Sequence, residues 1–212
     1  MKKNNTRDAD MVREVNLLWV PVYPGLARQV ARYCPAPDAS ILEVGCFSGG
    51  TGLELLSSFP KAGLTVACDT AELVETFDRD WGGFARGDAL SRCRTVTTAL
   101  SRLDFADKTF ELVFCRGVFF FLDGQGSILR EMYRVLAPGG VLFAGGGFGS
   151  FTPPAVISRL ADESRRKNND LGRRIYSVRE FEDEIARAGL ERYAEIIQEG
   201  GLWALIRRPQ AV

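Results

Sequence analysis

Short apolar runs, cut by polar or glycine-rich turns, alternate along most of this chain with segments whose apolar residues recur every three or four positions. Residues 41–44, 64–68, 94–97, 110–115 and 141–144 read as strands, several of them with hardly a polar position. Residues 53–59, 71–77 and 126–136 read as the helices between them; in the last, Ile128, Leu129, Met132, Tyr133 and Leu136 keep helical spacing. Residues 137–140 (Ala-Pro-Gly-Gly) predict a helix end followed by a sharp turn. Strand and helix alternating at this pitch require crossover connections, hence a parallel sheet with helices on both faces. Ser177 with Glu180 is a capping box that opens a helix reaching Ala188, and Gly189 closes it. Residues 191–197 and 202–207, joined through residues 199–201, predict a terminal antiparallel hairpin.

The first 20 residues begin polar and turn apolar, and residues 23–33 predict a helix with Pro24 in its first turn. Leu26, Val30 and Tyr33 share one face of it, and two prolines break the chain before the first strand. The expected organisation is one domain over residues 1–212, with residues 1–38 as a helical flap. Residues 146–176 read as a lid insertion: a glycine-rich connection, an amphipathic helix over 155–166, and a basic polar stretch over 165–174. Trp19 and Tyr23 suit either the flap's own packing or a pocket wall.

Totals narrow the picture. Lysine plus arginine equals aspartate plus glutamate at 27 each, so no global field draws in nucleic acid or an anionic membrane. No apolar run is long enough to cross a bilayer and the polar start lacks a signal-peptide core, so a cytoplasmic protein is expected. Five scattered cysteines without a C-x-x-C pair read as free, mostly buried thiols. Histidine is absent, which excludes an imidazole base and argues against a catalytic metal site.

The candidate chemistry lies where residues 41–44 run into a loop holding Gly45, Gly49, Gly50 and Gly52 before a helix. Glycines there let a ligand lie against the main chain, with the helix N-terminus pointing at it. A dinucleotide fingerprint would need glycine at position 47, where Phe47 stands, and no Lys-Ser or Lys-Thr follows to make a phosphate loop. The pattern suits a nucleoside without phosphates. Asp69, ending the second strand, suits a carboxylate that accepts ribose hydroxyls; the competing reading makes Asp69 or Thr70 a helix cap.

Three stretches taken together, residues 43–49 (Glu-Val-Gly-Cys-Phe-Ser-Gly), 103–113 and 131–140, resemble the class I S-adenosylmethionine-dependent methyltransferases over residues 41–207. The resemblance implies a doubly wound, mostly parallel seven-stranded sheet ending in an antiparallel hairpin, and S-adenosylmethionine as cofactor. It also implies Glu43, Gly45, Cys46, Phe47 and Gly49 around the methionine part and the loop, Asp69 and Thr70 at the ribose, Ala99 and Leu100 beside adenine, and Cys115 and Arg116 at the methionyl end. Two positions depart from the family pattern: Phe47 replaces a glycine, and Thr98 stands where many relatives have an acidic residue. Asp88, in a Gly-Asp-Ala triplet that mimics that acidic motif, precedes the third strand and is set aside. The acceptor is expected to be a small apolar or aromatic molecule, bound near Tyr23, Phe119 and Phe120, on a monomer or homodimer with no nucleic-acid or membrane partner. Asp123, Glu163 and Tyr176 are the candidate bases if one is needed. The alternative is a SAM-binding protein of the same fold that does not methylate.

Overall fold

The computed structural model describes residues 5–47, 49–81 and 87–211. Its elements run α1 (Asn5–Leu18), α2 (Tyr23–Ala31), β1 (Ser40–Val44), α3 (Gly50–Ser58), β2 (Gly63–Cys68), α4 (Ala71–Trp81), β3 (Cys93–Thr97), β4 (Phe110–Arg116), α5 (Ser127–Arg134), β5 (Leu136–Gly146), α6 (Pro154–Asp170), α7 (Val178–Arg187), β6 (Ala194–Ile197) and β7 (Leu202–Arg207). The seven strands form one sheet in the order β3-β2-β1-β4-β5-β7-β6. β1 to β5 are mutually parallel, while β7 runs antiparallel to both β5 and β6. The expected doubly wound sheet with a terminal hairpin is therefore present. The order reverses between β1 and β4, which opens a crevice at the carboxyl ends of those two strands.

Alternation along the central strands divides the core. Ile41, Leu112, Phe114, Val141 and Phe143 face one layer, with α2, α3 and the buried side of α1. Leu42, Val44, Val113, Cys115, Leu142 and Ala144 face the other, against α5 and α7. Apolar residues on both faces explain why these strands read as near-continuous hydrophobic runs. Trp203, fully buried on β7, stacks on Phe143 at 4.8 Å between centroids and closes the first layer.

One prediction needs correcting. Residues 137–140 are not a free turn after a helix: α5 ends at Arg134, and these residues belong to β5. Phe110 pairs with Leu136 and Leu112 with Val141, so the Ala-Pro-Gly-Gly stretch bulges from the ladder. The bulge is tied to the chain end, where Gly139 N–H donates to the Arg208 carbonyl (3.0 Å) and Arg208 N–H to the Gly140 carbonyl (3.0 Å). The Ser177–Glu180 capping box forms with both bonds in place. Of the turn-rich stretch 81–88, residues 82–86 lie outside the described ones; Trp81 ends α4, and Asp88 pairs with Arg92. No helix among the described residues is long and apolar enough to cross a membrane.

The flap is fastened by buried polar bonds as well as by apolar packing. Gln29, fully buried on α2, donates to the Glu199 carbonyl (2.9 Å) and accepts from Ser150 N–H (3.0 Å), joining the flap to the β6–β7 and β5–α6 connections. Gln29→Leu keeps the volume and strands both backbone groups, so it is expected to cost about 1–3 kcal/mol in urea unfolding. A change within error would show that these bonds do not anchor the flap.

Candidate active site

The loop between β1 and α3 is shaped by a carboxyl beneath it. Glu43, fully buried near the end of β1, accepts from Gly52 N–H (2.8 Å), and its other oxygen Oε1 has no hydrogen-bond partner among the described residues. Burial pushes this carboxyl up to about 7, against the lowering pull of the Gly49 and Gly52 amides and of Arg116. A Cβ on Gly52 would sit 2.5 Å from Glu43 Oε2, so only glycine lets the helix start come this close.

Above the carboxyl the bend is tighter than its glycines suggest. Gly45 has φ 108°, and a Cβ there would meet the ring of Phe121 at 2.8 Å; at Gly49 it would meet the ring of Phe77 at 2.0 Å. The expectation of a bare main chain is thus corrected: aromatic side chains from α4 and from the segment after β4 lie over it. Cys68 and Cys115 flank Gly45 as buried thiols; Cys68 donates weakly to the Gly45 carbonyl, and burial pushes both thiols up, so both stay protonated.

Two cavities open on this crevice. The first, about 360 Å³, is lined by Cys46, Phe47, Asp69, Thr70, Phe120 and Phe121, with Ala9, Val12, Glu72, Leu73 and Leu171 around them. Here the two capping candidates, Asp69 and Thr70, can be told apart. Thr70 Oγ1 accepts from Leu73 N–H (3.3 Å) and caps α4, while the exposed Asp69 carboxylate has no hydrogen bond or ion pair among the described residues. Ala99 and Leu100 do not line this cavity: Ala99 is exposed and Leu100 is buried in the second core layer. Thr98 accepts from Asp104 N–H (2.9 Å) and so serves its own loop.

The second cavity, about 210 Å³, lies on the other side of Phe47 and Phe120, whose rings pack at 4.8 Å and line both spaces. Trp19, Phe119 and Tyr176 give it aromatic walls, and Arg116, Arg173 and Arg174 line it as well. Arg116 is only 4% exposed. Its guanidinium lies over the rings of Trp19 (4.3 Å), Phe47 (5.0 Å) and Tyr23 (5.5 Å). Its Nη2 donates to Asn16 Oδ1 (2.9 Å), the Phe47 carbonyl (3.0 Å) and Tyr23 Oη (3.3 Å). Asn16 also donates to the Cys46 carbonyl (3.3 Å), so the flap is stitched to the loop.

Phe119 and Phe120 therefore stand where an acceptor wall was expected, whereas Tyr23 lies behind Arg116 as its support. Burial, opposed by Arg116, raises the Tyr23 phenol to about 12. Of the three candidate bases only Tyr176 reaches a cavity. Its phenol is pushed up by burial and Glu184, against Arg174, which suits a hydrogen-bond donor better than a base. Asp123 accepts from Gln125 and Ser127 amides, and Glu163 lies beside Lys167. Sequence reasoning missed Asn16, Asn168 and Phe77 as residues of this region. None belongs to a motif; the helical period alone gives no sign that α1, α4 and α6 converge here.

Comparison with known proteins agrees with this geometry. Residues 42–144 match the family model described as a methyltransferase domain. A malonyl-[acyl-carrier protein] O-methyltransferase of Geobacter sulfurreducens is 31% identical over 163 residues, covering 76% of this chain and 58% of that protein. A sterol 4-C-methyltransferase of Caenorhabditis elegans is 28% identical over 100 residues, covering 47% of this chain and 28% of that one. The chain thus spans less than two-thirds of the length of these curated relatives. Among solved structures, a candidate S-adenosyl-L-methionine-dependent methyltransferase from Methanococcus maripaludis superposes with a TM-score of 0.79 at 22% identity, covering 100% of this chain and 97% of that one. Geranyl diphosphate C-methyltransferase from Streptomyces coelicolor superposes with a TM-score of 0.60 at 14% identity, covering 87% and 77%. These two likenesses speak for the fold.

The raised carboxyl at Glu43 makes a pH prediction. Between its ordinary value of 4.5 and about 7 the folded chain holds more protons at this site than the unfolded one, so the Glu43 contribution to stability falls as pH rises through that window. Glu43→Gln can keep the acceptor for Gly52 N–H without the buried charge. Its stability relative to the parent is expected to rise between pH 4 and pH 8, by up to about 3 kcal/mol in urea unfolding. Parallel curves for the two proteins would refute this.

Proposed function

We propose that this chain, whose residues 42–144 match the methyltransferase-domain family model and whose fold is that of S-adenosylmethionine-dependent methyltransferases, transfers the cofactor's methyl group to a small, apolar or aromatic molecule held in the second cavity. The observation that carries this reading is the pair of cavities meeting at Phe47 and Phe120, at the carboxyl ends of β1 and β4. Their volumes add to the range of a small-ligand site. In the first, the carboxylate of Asp69 is free to accept from vicinal hydroxyls. Thr70, occupied as a cap, fixes the start of α4 beside it. Glu43 holds the loop from beneath, and Gly45, Cys46 and Phe47 offer their backbone. The fit demands one movement: the ring of Phe121 must turn away from Gly45.

S-adenosylmethionine supplies a methyl already activated on a sulfonium, which leaves the protein the tasks of alignment and water exclusion. Phe47, Phe119 and Phe120 supply apolar surface at the junction, and Arg116 fixes Phe47 through its carbonyl. The raised Tyr176 phenol keeps its proton at neutral pH, where it can orient an acceptor by donating to it.

A second reading has an observation of its own. The rings of Phe121 and Phe77 over Gly45 and Gly49 suit a chain of this fold that binds the cofactor weakly or does not methylate. Calorimetry with S-adenosylmethionine and S-adenosylhomocysteine separates the two. Micromolar binding of both is expected, about −8 kcal/mol, and absence of heat and of thermal shift would favour the second reading. Asp69→Ala is expected to weaken cofactor binding about 10- to 100-fold, the loss of charge-assisted hydrogen bonds. Unchanged affinity would remove Asp69 from the site.

A further inference from the structure

Resting on the reading of the second cavity as the acceptor site, we propose that the acceptor carries a carboxylate, held by Arg116, Arg173 and Arg174 while its apolar body lies against the aromatic walls. Three arginines line this cavity and, among the described residues, no aspartate or glutamate does. None of the three makes an ion pair with a carboxylate among those residues. Arg116 spends its Nη2 on three neutral oxygens, and its Nε, buried, has no partner. Among the described residues the Nε of Arg173 is likewise buried without a partner, and Arg174 donates to the Leu122 carbonyl (3.3 Å) alone.

A guanidinium that is 4% exposed and faces rings and neutral oxygens has lost its water without gaining an anion. Aromatic faces return part of that cost and leave the charge in place. Glu43, whose charge Arg116 feels, makes no ion pair with it among the described residues, and burial disfavours the charge on that carboxyl. Burial, with Arg165 adding to it, disfavours the charge on Arg173, as expected of a group whose counter-ion arrives with a ligand. A planar carboxylate matches the fork of a guanidinium and would satisfy these open donors, and a cavity of about 210 Å³ between rings leaves room for a ring or a short chain behind it.

Trp19, stacked beside Arg116, provides the probe. Quenching of tryptophan fluorescence would be titrated on the full chain with 3-phenylpropanoate, its amide and phenyl phosphate, with and without S-adenosylhomocysteine. The acid is expected to bind at least tenfold tighter than the amide. Arg173→Gln/Arg174→Gln, at the half-buried and exposed rim, is expected to erase most of that preference while leaving the amide unaffected. Equal binding of acid and amide, an unchanged preference in the double variant, or a preference for phenyl phosphate would overturn the proposal. So would competition between the acid and S-adenosylhomocysteine, which would put the cofactor's own carboxylate on these arginines. The acid titration needs no cofactor. Selective acid binding without any heat from S-adenosylhomocysteine would therefore sink methyl transfer and leave the anion site standing.

Discussion

The hydrogen bond from Arg116 to the carbonyl of Phe47 holds the crevice in its present form. It fixes the loop after β1 to the end of β4, across the point where the strand order reverses. That point is where an open α/β sheet can receive a ligand. Because the same guanidinium lies over Trp19 and Tyr23 and bonds Asn16, one buried charge unites the sheet, the loop and both flap helices. The flap is therefore part of the site's wall and not an appendage to the fold.

A buried guanidinium without a carboxylate is an expensive way to join elements. An apolar side chain of similar size could pack against the same rings with no desolvation cost. What an apolar residue could not do is address three oxygens at once in a fixed plane, or keep Nε in reserve for something else. The geometry thus trades stability for placement, as sites often do. Glu43 tells the same story from below: a carboxyl kept half neutral by burial, offering one oxygen to the helix start and leaving the other unpartnered.

How far the sequence disclosed this depends on the range of each interaction. Strand identity was legible because residues 41–44, 110–115 and 141–144 are apolar on both faces, which is a local property. The terminal hairpin and the Ser177–Glu180 cap were legible for the same reason. The bulge at residues 137–140 was not, since a proline and two glycines look alike in a turn and in a bulged strand. Only pairing to Phe110 and Arg208, distant in the chain, decides between them. At the site, Asp69 and Phe47 stood out as polar or bulky residues at motif positions. Arg116 was noticed for its place at the end of β4, but its turn toward the second cavity follows from Asn16, Trp19 and Tyr23, about a hundred residues earlier. Arg173 lies in the basic stretch read as part of a lid, and nothing local distinguished it from the charges around it.

Phe47 shows how a departure from a pattern can be informative. A glycine there would remove one of the two rings that line both cavities, and the loop would have no ring to lay under Arg116. With phenylalanine, the first cavity keeps Asp69 and the second keeps the arginines, and the two share the tilted ring pair of Phe47 and Phe120 as a common wall. Apolar matter between the two cavities keeps water from the boundary they share, and a charge beside that boundary feels a stronger field. The ring that breaks the dinucleotide pattern is thus the same ring that divides the crevice into a carboxylate side and an arginine side.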